Sequence, residues 1–130
     1  MVSYQQFQDL LYQAQCGNIQ LVKEAVEKDP GLAKRSGEYN TTLLYFGYQY
    51  PELATFLLDH GSDINIQVVG GTSILMNACQ STNFDIVEFL LKKGANPHIK
   101  RNDGKTAILL AAEKDNYEVC KLLRSAGANF

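Results

Sequence analysis

Apolar residues along this chain come in bursts at helical spacing, and the bursts repeat. "LATFLL" (53–58), "IVEFLL" (86–91) and "VCKLL" (119–123) each follow a period near 3.6, which puts a single greasy stripe on a helix. Each is followed by a glycine, and Gly61, Gly94 and Gly127 lie thirty-three residues apart. A glycine just past the last turn supplies a left-handed helix stop. Upstream of each burst lies a shorter apolar stretch that opens with threonine: "TTLLYFGYQ" from Thr41, "TSILMNACQ" from Thr72 and "TAILLAAEK" from Thr106. A threonine at a helix start can accept a hydrogen bond from an orphan backbone N–H. The repeating unit is therefore short helix, turn, long helix, glycine stop and polar turn. One such unit cannot bury its own apolar face, and repetition supplies the neighbour that does.

A period of thirty-three with this layout resembles the ankyrin repeat. The last copy carries the resemblance best: "NDGKTAILLAAEKDNYEVCKLLRSAGAN" has an Asp-Gly-x-Thr hairpin, the pair Ala111-Ala112 and a terminal Gly-Ala. The first is degenerate, with Ala14, Gly17, Asn18 and Val22 of "LLYQAQCGNIQLVKEAV" in register. Four copies, approximately 1–35, 36–67, 68–101 and 102–130, cover the chain as one domain. The resemblance implies an all-α solenoid of paired antiparallel helices with hairpin-like turns, acting as a non-enzymatic protein-binding module.

Departures from the family pattern are visible too. Leu44, Leu75 and Leu109 are read at the position of the family's histidine, so packing rather than a histidine network must hold those turns. The second copy reads as one residue short before Pro51 and the third as one residue long. The paired alanines become Phe46-Gly47 and Asn77-Ala78. Glu24 in the first copy and Arg124 in the last replace apolar residues, as terminal repeats with a wet outer face require.

Composition narrows the class further. The chain has 130 residues, 45% hydrophobic and 20% charged, the balance of a soluble globular domain. No apolar run is long enough for a membrane span, and the N-terminus lacks a secretory signal pattern. Three scattered cysteines argue against a disulfide framework and for a reducing, cytoplasmic setting. A net charge of −2 gives no general affinity for nucleic acid or anionic membrane. The charge is nonetheless lopsided: residues 1–65 carry −4 and residues 66–130 carry +2.

Candidate chemistry is sparse. His60 and His98 have no partner at a catalytic or metal-binding spacing, so no catalytic residue, metal or cofactor is expected. "VVGGTS" (68–73) is glycine-rich before a helix but lacks the lysine of a phosphate loop; a hairpin needing glycine dihedrals is the plainer reading. Cys16 and Cys79 are placed near exposed ends of short helices, and Cys120 in the core.

Two surface features remain. Tyr39, Tyr48 and Tyr50, with Gln49, cluster around the second hairpin and short helix, and Val68 and Val69 sit at the next hairpin tip beside a short helix ending in Gln80. Tyr45 is expected to be buried. Aromatic and apolar residues at positions usually polar point to a protein-binding groove between the second and third copies. Tyrosines drawn inward by altered packing are the alternative. The stretch Lys92, Lys93, His98, Lys100, Arg101, Lys105 is basic and either steers an acidic partner or is a solvated face. The expected function is that of an adaptor or inhibitor, monomeric alone, binding another protein through Tyr39, Tyr48, Gln49, Tyr50, Val68, Val69, Gln80, Lys100 and Arg101. An inhibitor that masks the active site of a bacterial toxin or enzyme is one version. An anion-binding or enzymatic protein using Gly70-Gly71 and the 92–105 stretch is the rival.

Overall fold

The computed structural model describes residues 2–81 and 83–129. Among them are eight α-helices: α1 (Tyr4–Gln15), α2 (Ile19–Lys28), α3 (Leu43–Gly47), α4 (Pro51–Asp59), α5 (Ile74–Cys79), α6 (Phe84–Lys92), α7 (Ala107–Glu113) and α8 (Tyr117–Ser125). No strand forms among the described residues, only an isolated antiparallel bridge between Gln67 and Ser73. The chain gathers into two compact units, residues 1–63 with α1–α4 and residues 64–130 with α5–α8.

Each unit has its own apolar core. In the first, Phe7, Leu11, Val22, Leu32, Leu43, Leu44, Leu53 and Leu57 are essentially without solvent exposure. In the second, Ile74, Leu75, Met76, Val87, Leu90, Ile108 and Leu123 are. Each such side chain contributes about 1.5–3 kcal/mol by leaving water. The glycine stops behave as expected, with φ of 95° at Gly61, 98° at Gly94 and 96° at Gly127.

The first helices of copies two and three start one residue later than the threonine reading places them. Thr42 accepts from the Tyr45 N–H and Ser73 from the Met76 N–H, both at 3.2 Å, so these residues, not Thr41 and Thr72, align with Thr106. The hairpins before them confirm the alignment. Gly37 N–H donates to Thr41 O, Val68 N–H to Thr72 O and Arg101 N–H to Lys105 O.

That shift corrects several assignments. The residues opposite Leu109 are Tyr45 and Met76, not Leu44 and Leu75, which are core. The counterparts of Ala111-Ala112 are Gly47-Tyr48 and Ala78-Cys79. A Cβ on Gly47 would come within 2.8 Å of Leu53 Cδ2, so this position takes only the smallest residue. From cap to glycine stop the third copy (Ser73 to Gly94) now matches the fourth (Thr106 to Gly127), with no extra residue. The second copy (Thr42 to Gly61) is two residues shorter.

The missing residues come from the turn between α3 and α4. Asn83 and Asn116 cap α6 and α8 by accepting from Ile86 and Val119 N–H. In the second copy that place falls to Tyr50, which offers no side-chain cap, and Pro51 follows as the first helical residue. Proline has no N–H to satisfy there, so the cap becomes dispensable.

Candidate partner-binding site

Of the residues singled out from sequence, Tyr39, Tyr48, Gln49 and Tyr50 belong to the first unit. Val68, Val69, Gln80, Lys100 and Arg101 belong to the second.

Tyr39 occupies the tip of the 37–42 hairpin with φ 61° and ψ 18°, and Asn40 follows at φ 64°. The equivalent of Tyr39 in the next hairpin is Gly70, at φ 86°. A bulky residue held left-handed costs of order 1 kcal/mol, and burial does not return it here, because Tyr39 is 68% exposed. The hairpin leans on α1: a Cβ on Gly37 would lie 2.9 Å from Gln8 Nε2. Tyr4, at the start of α1, is 50% exposed, and the influence of the Glu38 side chain raises its phenol above the ordinary value. The phenol also senses Gln8 and Tyr39. Two turns along the same helix Tyr12 is 63% exposed.

Sequence reasoning missed Tyr4, Tyr12 and Glu38. The signal was present: with Phe7, Leu10, Leu11 and Ala14 forming the buried stripe of α1, residues 4 and 12 fall on its exposed side. The sequence points instead to Tyr48, Gln49 and Tyr50 at the end of α3. Of those, Gln49 is exposed and Tyr48 half-buried. Tyr45, expected in the core, is only half-buried; that burial still raises its phenol, and its ring meets Phe46 edge-on at 5.4 Å.

Tyr50 is turned to a structural use. Its hydroxyl donates to Gln15 O at 3.2 Å, and its ring covers Gly17 so closely that a Cβ there would lie 2.7 Å from Cζ. This residue is the inward-drawn tyrosine of the alternative reading.

In the second unit the expectation for Val68 is corrected: it is 8% exposed and belongs to the core, with its N–H closing the hairpin onto Thr72 O. Val69 is 66% exposed, and Gln80 and Lys100 are exposed as well. Arg101 is committed locally: Nε and Nη2 donate to the two Asp103 oxygens at 3.0 and 2.7 Å. The arginine, together with the Lys105 N–H, holds the Asp103 carboxyl at about 2. Lys105 pairs with Glu113, and Lys92 with Glu88 at 3.7 Å. The basic stretch therefore presents far less free charge than its sequence suggests.

The glycine turn is also used internally. Gly71 N–H donates to Val68 O, and Gly70 O accepts from Asn102 N–H at 2.9 Å. A Cβ on Gly71 would lie 2.9 Å from Asn102 N, so the glycine lets two hairpins stack. Gln67 Nε2 ties the same pair by donating to Gly71 O and Lys100 O. A loop whose polar groups face its neighbour is poorly arranged to cradle a phosphate.

Cys79, placed near an exposed end from sequence, is buried, and burial pushes its thiol up to about 12. Among the described residues no group of three or more His, Cys, Asp or Glu could hold a metal ion. No helix among them is long and apolar enough to cross a membrane.

Capped helix pairs, left-handed glycine stops and hairpins stacked through side-chain amides define a helical-repeat binding scaffold. The family model for ankyrin repeats, in three copies, matches residues 46–130, and the chain belongs to the ankyrin-repeat family. It is 34% identical over 82 residues to a probable E3 ubiquitin-protein ligase, XBOS32, of Oryza sativa subsp. japonica. That match takes in 61% of this chain and 16% of the rice protein.

Proposed function

We propose that this chain is a non-enzymatic protein-binding module of adaptor or inhibitor type. Its principal contact surface in the first unit is the 37–42 hairpin tip with the wet side of α1: Tyr39, Tyr4 and Tyr12, flanked by Gln49 and Tyr48. In the second unit Val69, Gln80 and Lys100 supply contacts at the corresponding hairpin and helix end. The observation that carries this reading is Tyr39, held left-handed where the next copy has glycine, with its ring in solvent. Strain that brings no burial is what a contact residue leaves behind. Exposed tyrosines give broad contact with few rotatable bonds, so ordering them costs little entropy. Membership of the ankyrin-repeat family favours protein binding over catalysis, and the inward use of Gly70 and Gly71 weakens the anion-binding rival. The ligase named for the rice relative is not carried over, since the shared part is 16% of that protein.

The test is capture from the native host with immobilised wild-type protein beside Tyr39→Gly and Tyr12→Ala. Both variants should fold as wild type and retain much less of the captured partner. Undiminished capture by both would refute this surface.

A further inference from the structure

Asp103–Gly104 is the single Asp-Gly step of the chain, and no asparagine precedes a glycine anywhere in it. This dipeptide carries a chemistry of its own. With no Cβ on the second residue to block the approach, the glycine nitrogen can reach the aspartate side-chain carbon. Attack by that nitrogen on a neutral carboxyl forms the N–Cγ bond of a succinimide, and the N–H proton and carboxyl hydroxyl leave as water. A second water opens the ring at the Asp103 backbone carbonyl, breaking its bond to nitrogen. The product is isoaspartate, unchanged in composition, whose main chain runs through Cγ and is one methylene longer. Water is the only co-reactant, and nothing is oxidised or reduced.

In the hairpin of the last copy both reacting groups are held, and Arg101 holds them. Its Nε and Nη2 donate to the two Asp103 oxygens at 3.0 and 2.7 Å, a fork that favours the charged, unreactive carboxylate. Lys105 N–H donates to Oδ1 as well, at 3.2 Å. The backbone carbonyl of the same arginine accepts the Gly104 N–H at 2.8 Å, which occupies the nucleophile. A carboxyl held at about 2 is neutral roughly tenfold less often, or rarer still, than an ordinary one near pH 5. Asp103 is nonetheless exposed, so water for the second step is at hand.

We propose that Asp103–Gly104 is an isoaspartate-forming site gated by Arg101, inert while the fork is closed and converted once a competing acidic group draws the guanidinium away. The conversion has a structural target, because the same tip donates Asn102 N–H to Gly70 O at 2.9 Å. An extra methylene next to that bond loosens the stack of the third and fourth hairpins.

The test incubates the protein at about pH 5 and follows isoaspartate in digested samples. Labelled methyl transfer by an isoaspartate-specific carboxyl methyltransferase detects it, and peptide mapping places it. Folded wild type should gain it at Asp103 roughly tenfold more slowly than the same chain in guanidinium. Arg101→Gln should convert roughly tenfold faster than wild type while its dichroism and melt show a folded protein. Gln67→Ala removes the amide ties to Gly71 O and Lys100 O but leaves the fork closed, so it should keep the wild-type rate. Arg101→Lys, which retains the charge without the fork, should fall between, and it decides the matter if Arg101→Gln does not fold. A wild-type rate in the folded arginine variants overturns the proposal. So does a Gln67→Ala rate equal to that of Arg101→Gln, which would make general loosening the cause. Equal rates for folded and unfolded wild type overturn it as well.

Discussion

The hydroxyl of Tyr50 reaches back thirty-five residues to the carbonyl of Gln15, the same separation over which the Asn116 amide reaches Ser81 O at 3.1 Å. Both residues precede the second helix of their copy, and both grip the end of the previous copy's first helix. Tyrosine has taken over the tie that asparagine makes elsewhere and, being longer, also roofs Gly17. Tyr50→Phe should therefore cost about 1 kcal/mol for the lost hydrogen bond. Tyr50→Ala should cost clearly more. Gly17→Ala meets both the ring and a φ of 81°, so a loss above about 1 kcal/mol is expected. Urea melts of the three variants decide this; a wild-type midpoint for Tyr50→Ala would return the residue to the binding surface.

Two glycines separate backbone strain from crowding. A Cβ on Gly94 would meet nothing within 4 Å, so Gly94→Ala suffers only from φ 98°, about 1 kcal/mol, and Gly94→Asn should be milder. Gly71→Ala carries a similar φ and also strikes the Asn102 backbone, so it should melt well below Gly94→Ala. Equal thermal shifts for Gly71→Ala and Gly94→Ala would remove hairpin stacking as the reason for the glycine.

Acid should expose the Arg101–Asp103 pair. The folded carboxyl sits at about 2, below its ordinary 3.8, so its contribution is complete above roughly pH 4 and is lost as pH falls towards 2. Asp103→Asn should flatten stability against pH within that window and leave the neutral range little changed. A carboxyl carbon signal of Asp103 titrating near its ordinary value would contradict the pairing.

The three cysteines should react unequally. Cys16 is exposed, whereas Cys79 and Cys120 are buried, and the Cys79 thiol at about 12 offers almost no thiolate at neutral pH. Ellman's reagent should count one fast thiol in the native protein and three in guanidinium. A second fast thiol in the native state would place Cys79 or Cys120 outside the core.

Much of the architecture was legible because it rests on local chemistry repeated at fixed spacing. Gly61, Gly94 and Gly127 announced where helices stop, and the bursts before them announced which faces are buried. What misled was the doublet: Thr41-Thr42 and Thr72-Ser73 each offer two hydroxyls fit to cap a helix, and periodicity alone does not choose between them. The hydrogen bonds from Tyr45 and Met76 choose the second, and a one-residue shift moves Cys79 and Tyr48 inward. Solvent exposure was legible at Tyr39 and Val69, which lie at tips. It was not at Val68, whose burial depends on the hairpin closing through its own N–H, nor at Tyr50, whose partner lies thirty-five residues away. Arg101 and Lys105 looked like free charge because Asp103 and Glu113 meet them only once the last copy folds.

Thr106 is the exception among the threonine and serine caps. Its hydroxyl is buried and, among the described residues, finds no hydrogen-bond partner, whereas Thr42 and Ser73 each hold the N–H three residues ahead. The first turn of α7 therefore keeps its backbone bond from Leu110 N–H to Thr106 O and the burial of Ala107 and Ile108, but lacks the side-chain cap. In heavy water the Leu109 amide should take up deuterium well before those of Tyr45 and Met76. This solenoid would open by fluctuation first in its final copy, even though that copy keeps the family's sequence most faithfully.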